Sequence, residues 1–143
     1  MTKEEPGFIY ETEYWRIILA DDQTNLGRCV IVLKRACPNL SSLTNEEWLD
    51  FTSAVVQKLE TIFKREFGAV MFNWTCLMND AYKKKPYNPQ VHWHFRPRYD
   101  KKVKIGKEVF TDDFFGNHYE RGSDRRVSAE IRGEIIKRIK KFL

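Results

Sequence analysis

The chain has 143 residues, of which 42% are hydrophobic and 31% charged. That length suits one domain with a core of its own, and the composition is that of a folded chain rather than a disordered one. The 25 basic against 20 acidic residues leave a net charge of +5, which suits a phosphate-bearing partner without demanding one, and no apolar run approaches the roughly 18–20 residues of a membrane span.

The opening M-T-K-E-E-P-G lacks the apolar h-region of a signal peptide. The expectation is a cytoplasmic protein whose residues 1–5 form a loose tail. Cys29, Cys37 and Cys76 are scattered, with no C-x-x-C pair, and read as reduced thiols used mostly as small hydrophobes. Phe8 to Glu13 reads as a first strand. Y-W-R-I-I-L-A (14–20) is a second, rich in β-branched and aromatic residues. D-D-Q-T-N-L-G (21–27) has turn composition, and C-V-I-V-L-K (29–34) is a third, buried strand.

A helix follows. Thr44 with Glu47 three positions on makes a capping box, and Leu43 and Trp48 are placed for a hydrophobic staple across it. Trp48, Phe51, Val55, Leu59, Phe63 and Phe67 recur at spacings of three and four, one face of an α-helix. Gly68 supplies its C-terminal stop, and Asp50, Gln57, Lys58 and Lys64 are expected to face water. Residues 69–78 read as a fourth strand, 79–89 as a loop with two prolines and three lysines, and 90–99 as a fifth strand. Residues 100–126 give no clear pattern. A second helix spans about 127–142, with Ile131, Ile135, Ile139 and Phe142 on one face. The order β-β-β-α-β-β-α predicts a single α+β domain over 1–143. It has about five mostly antiparallel strands, one long central helix and a C-terminal helix, with 100–143 as a C-terminal extension.

The fifth strand, Q-V-H-W-H-F-R-P-R-Y (90–99), carries two of the three histidines. Side chains alternate along a strand. Val91, Trp93, Phe95 and Pro97 therefore point to the core. Gln90, His92, His94 and Arg96 share the other face, roughly 6.5–7 Å apart. Three readings of such a face compete: a merely wet face, a metal pair, and nucleophilic catalysis by imidazole. The metal pair would need further ligands from His118, Cys76, Asp112 or Asp113, and no spacing points to them.

The segment resembles the signature of the histidine-triad (HIT) family, His-φ-His-φ-His-φ-φ followed by Pro-Arg. Aligned on Pro97-Arg98, the third histidine falls at His94, the middle one at His92 and the first at Gln90. N-L-G-R-C-V-I-V-L-K-R (25–35) is similar to the family's G-H-φ-φ-φ-φ-P-K strand, with Arg28 where a histidine is common. L-T-N-E-E-W resembles the start of its long helix, and L-M-N-D (77–80) its polar turn before the triad. The resemblance covers about residues 8–99.

It implies a nucleotide hydrolase or transferase, in which the middle histidine attacks an α-phosphate and forms a nucleotidyl-histidine that water then hydrolyses. Carried over, His92 is the nucleophile and His94 the residue that fixes its orientation and tautomer. Asn79 contacts the phosphate or ribose, and Asp21 or Asp22 the ribose. Gln90 could donate an N–H to a phosphate oxygen but cannot titrate, so leaving groups that need no proton are expected. Arg28, Arg96, Arg98 or Lys83 to Lys85 could steady a polyphosphate tail. The family's Gly-Gln-Ser/Thr is absent near Pro86 and Tyr87. Implied too are a homodimer and a nucleotide as partner, with no cofactor required, though magnesium could accompany a polyphosphate substrate. A nucleotide- or protein-binding module with weak or no catalysis, and an RNA binder using Trp74, Tyr82 and Tyr87, stand as alternatives. The last is less favoured, since those aromatics also read as core or loop anchors.

Overall fold

A computed structural model describes residues 5–143; most of the expected tail, residues 1–4, lies outside the described residues. Five strands form one antiparallel sheet: β1 Phe8–Glu11, β2 Trp15–Leu19, β3 Cys29–Leu33, β4 Met71–Thr75 and β5 His92–Arg98. Their spatial order is β1-β2-β3-β5-β4, which puts β5 in the interior of the sheet between β3 and β4. Observed strands are shorter than expected by one to five residues, mostly at ends that lack a ladder partner. Residues 100–126, which gave no pattern, contain a small hairpin of β6 Val103–Ile105 and β7 Glu108–Phe110. Strands of three residues are too short to show a period.

The long helix runs over residues 45–67, with wider π-type stretches at Phe51–Val56 and Phe63–Phe67. Both halves of the capping box form: the Thr44 hydroxyl accepts from the Glu47 peptide at 3.1 Å, and the Glu47 carboxylate accepts from the Thr44 peptide at 2.9 Å. That carboxylate is itself buried and takes a two-pronged bond from Arg35 at 2.7 and 2.8 Å. Gly68 ends the helix at φ 76°, a conformation that suits glycine. Asp50, expected in water, instead accepts from the Thr12 hydroxyl at 2.6 Å and the Tyr14 peptide at 3.1 Å. It ties the β1–β2 turn to the helix.

The apolar stripe of this helix covers the inner face of the sheet. Phe51 meets Trp15, Trp74 and Trp93 at ring separations of 5.0, 5.6 and 4.9 Å, and Phe63 meets Phe95 at 5.4 Å. Val91, Phe95 and Pro97 are buried, as alternation predicted. Gly27 sits where the β2–β3 turn approaches the helix. Its φ is +86°, and a Cβ there would lie 2.1 Å from the Phe63 ring, so no side chain fits. The C-terminal helix, Ala129–Lys140, is capped by Ser128 and buries Ile135 and Ile139. Arg138 and Lys141 at its end clasp Glu66 at 2.8 and 2.9 Å. No helix among the described residues is long and apolar enough to cross a membrane.

Candidate active site

Register fixes what shares the outer face with the histidines. His92 lies opposite Val32, and His94 lies between Val30 on β3 and Thr75 on β4. The β3 ladder holds β5 from His92 to Phe95 and the β4 ladder from His94 to Arg98, so His94 is paired on both sides and His92 on one. The rings meet edge to face, 4.9 Å between centroids. They open onto a cavity of about 380 Å³ walled by the Leu77–Ala81 segment, Asn88, Gln90, His92 and His94.

The Nδ1 of His92 lies 2.8 Å from the Gln90 carbonyl oxygen. A carbonyl can only accept, so Nδ1 carries the proton, and in the neutral ring Nε2 keeps its lone pair. The carbonyl two residues back thus holds the tautomer, a role expected of His94. His94 has a different character. Burial, then His92, Arg28 and Arg96, pushes its pKa down to about 4. It is neutral at pH 7, and its buried Nδ1 has no hydrogen-bond partner among the described residues.

Gln90 departs from expectation. Its side chain does not offer an N–H to a ligand. The amide oxygen accepts from the Cys37 peptide at 2.9 Å, and the amide nitrogen donates to the Leu33 and Arg35 carbonyls at 3.0 and 2.7 Å. Both amide hydrogens and one acceptor lone pair are spent bracing the entry to β5 against the exit of β3. Gln23 braces the β2–β3 turn in the same manner, with bonds to Gly27, Ala20 and Arg28.

Arg98 is a second correction. It is fully buried, grips Asp112 with Nε and Nη2, and donates from Nη1 to Asn73 and to the Asn117 carbonyl at 2.9 Å each. It anchors residues 112–126, which cross one end of the outer face, and cannot steady a substrate. Arg96 lies on that face with its guanidinium 3.7 Å from the Tyr119 ring centroid. Arg28 pairs with Asp22 at 3.1 Å, while its buried Nε has no hydrogen-bond partner among the described residues.

The acidic pair after β2 also differs from the expected ribose contact. Asp22 accepts from the Thr24 peptide and hydroxyl at 2.9 and 2.6 Å and from the Arg125 peptide at 3.0 Å. Asp21 is exposed and faces Arg126 at 3.3 Å. Both are engaged by the chain's own C-terminal segment. Asn79 lines the His92 cavity. His118 does not reach it: it is exposed, with Nδ1 on the Tyr119 carbonyl at 2.8 Å. Among the described residues no group of three or more His, Cys, Asp or Glu side chains could hold a metal ion. The cysteines are free, Cys29 and Cys37 buried and Cys76 partly so.

Asn88 and the Gln90 carbonyl were not foreseen. The turn dipeptide Asn88-Pro89 was a signal for the first. For Tyr119, 23 positions beyond Arg96, the sequence offers none.

Neither family models nor curated protein sequences match this chain. Solved structures do. It is similar to a histidine-triad protein from Marinobacter aquaeolei VT8, at 18% identity and a TM-score of 0.70 over 95% of this chain and 87% of that one. A histidine-triad protein from Sinorhizobium meliloti 1021 is similar at 19% identity and a TM-score of 0.70, over 97% and 92%. The diadenosine triphosphate hydrolase of Plasmodium falciparum is similar at 15% identity and a TM-score of 0.64, over 97% and 77%. At such identities the likeness speaks for the fold, and the chain is built on the histidine-triad architecture.

Proposed function

We propose that this protein is a nucleotidyl hydrolase or transferase that cleaves at the α-phosphate of a nucleotide conjugate through a nucleotidyl-histidine on His92. The observation that carries the reading is the bond from His92 Nδ1 to the Gln90 carbonyl beside an open cavity. It leaves Nε2 as the unprotonated atom of a fixed ring, and fixed placement is worth orders of magnitude in rate.

In the first step Nε2 forms a bond to phosphorus and the phosphorus–oxygen bond to the leaving group breaks, its electron pair departing with that oxygen. The imidazolium keeps its Nδ1 proton on the Gln90 carbonyl, which stabilises the charge. In the second step water forms the new phosphorus–oxygen bond, the nitrogen–phosphorus bond breaks, and a proton leaves to solvent. Neutral His94 packs against the nucleophile without adding a competing positive charge. With Gln90 unable to titrate, leaving groups that depart as stable anions are favoured, so phosphoanhydrides such as dinucleoside polyphosphates react faster than phosphoramidates. A nucleotide-binding module with slow or absent turnover is the second reading. It is favoured by the engagement of Asp22 with Thr24 and Arg125, which withholds a carboxylate from the ribose.

The test is release of nucleoside monophosphate from diadenosine tetraphosphate and from adenosine phosphoramidate, with acid-labile nucleotidylation of the protein followed by mass spectrometry. Turnover and adduct should both vanish in His92→Asn. Tight nucleotide binding with neither would leave the binding module standing, and turnover retained in His92→Asn would end the proposal.

A further inference from the structure

Water that attacks phosphorus must give up a proton, and a group placed to take it speeds the step. The departing imidazole cannot take it at the moment of attack. Its Nε2 is bonded to phosphorus, and its Nδ1 holds a proton on the Gln90 carbonyl. Gln90 itself has its amide hydrogens on the Leu33 and Arg35 carbonyls and its amide oxygen on the Cys37 peptide. His94 lines the cavity, but its Nδ1 is buried without a hydrogen-bond partner among the described residues, and its ring is bonded to the Leu77 backbone. Of the other lining residues Asn79 and Asn88 are neutral amides, and only Asp80 is ionisable.

Asp80 sits on the single 3₁₀ turn Asn79–Tyr82. Among the described residues it is the one carboxylate that lines this cavity, and it interacts electrostatically with both His92 and His94. Its side chain is nevertheless 90% exposed. It therefore stands where the cavity meets solvent, on the path by which water enters and a proton can leave. Lys83 binds Oδ1 at 2.8 Å and leaves Oδ2 to accept another bond. The same bond holds the carboxyl below the ordinary carboxylate range, so it is ionised at pH 7. The ammonium also tempers the repulsion between this carboxylate and an incoming phosphate. Once the nucleotidyl-histidine has formed, the imidazolium offsets the phosphoryl charge, and a carboxylate beside it is no longer opposed.

Resting on the proposed chemistry at His92, we infer that Asp80 is the catalytic base of the second step. Its Oδ2 accepts a proton from the attacking water as the new phosphorus–oxygen bond forms. The nitrogen–phosphorus bond breaks, and its electron pair returns to His92 Nε2. The Asp80 carboxylic acid then passes the proton to solvent. The first step, in which the leaving group departs as an anion, does not use Asp80.

The experiment resolves the two steps in the full chain by rapid mixing with diadenosine tetraphosphate and quenching in alkali, where a histidine–phosphorus bond survives. Release of ATP reads the first step, and decay of the nucleotidyl-histidine, followed by mass spectrometry, reads the second. In Asp80→Asn the first step should keep its rate within about twofold, while decay slows on the order of a hundredfold or more, the usual effect of a general base. The adduct then accumulates, and Asp80→Glu should restore part of its decay. Fluoride attacks phosphorus without giving up a proton. It should clear the adduct equally fast from the parent and from Asp80→Asn, forming the nucleoside phosphorofluoridate, whereas a residue that merely shaped the cavity would affect both nucleophiles alike. Unchanged decay in Asp80→Asn, equal slowing of the two steps, or fluoride release slowed as much as hydrolysis would overturn the inference and leave the reading of His92 standing. No adduct in either the parent or Asp80→Asn would end that reading and the inference with it.

Discussion

Replacing Gln90 by histidine completes the triad on paper, and it should weaken the fold without improving the site. The glutamine supplies two donors and one acceptor to three backbone groups, at 2.9, 3.0 and 2.7 Å. A neutral imidazole has one donor and one acceptor on a ring of different reach. It cannot meet the Leu33 and Arg35 carbonyls together with the Cys37 peptide. Each lost bond costs about 1 kcal/mol net, and the Cys37 N–H, on a buried residue, costs about 1–3 if left unpaired. The sum expected is about 2–4 kcal/mol. A 143-residue chain melts with an entropy of about 0.3 kcal/mol/K, so Tm should fall by about 7–13 °C. Calorimetric melting at pH 7.5 reads this directly, and urea unfolding at an unchanged m-value shows that the loss is one of stability. A Gln90→His protein that melts within about 2 °C of the parent would refute the bracing role. Because the same residue's carbonyl aims His92, the variant should also lose rather than gain turnover.

Stability should also depend on pH through His94. Its folded pKa of about 4 lies below the ordinary imidazole value of about 6.5, so the unfolded chain binds the proton first. Stability is full above about pH 6.5 and is lost as pH falls towards 4. The shift corresponds to about 3 kcal/mol, and solvent screening at a partly exposed ring reduces this to roughly 1–2. Urea titrations at pH 7 and pH 4.5 should show the loss in the parent and a smaller one in His94→Asn; an equal loss in both rejects the assignment. Arg98→Met strands Asp112, whose side chain is 5% exposed, and should cost about 3–5 kcal/mol. Adding Asp112→Leu should recover much of it, and a double variant no better than the single shows that the pair was not coupled. Gly27→Ala places a Cβ against the Phe63 ring at a positive φ and should cost roughly 2–4 kcal/mol, with Phe63→Leu in the same chain restoring part of the loss.

Local chemistry made much of this protein legible. The helix follows from Thr44, Glu47 and a stripe of apolar residues whose spacing is set by 3.6 residues per turn. The facing of β5 follows from the two-residue period, which sends Val91 and Phe95 inward and His92 and His94 to the cavity. Strand ends and the hairpin at Val103–Phe110 were less visible, because pairing partners rather than propensity decide where a short strand starts.

By itself the sequence determined the α+β order, the capped helix and the pair of imidazoles on a strand face, since each rests on neighbours a few positions apart. Only the tertiary structure decided which polar groups remain free to meet a ligand. Gln90 bonds to Cys37, 53 positions away, and Asp22 bonds to the Arg125 peptide, 103 positions away. A side chain's type tells what bonds it can make, but burial and long-range proximity decide which ones it does make. Arg98 and Lys85 are both basic residues close to the histidines in sequence; one is sealed against Asp112 and the other is exposed, its ammonium 5.9 Å from the Tyr87 ring centroid.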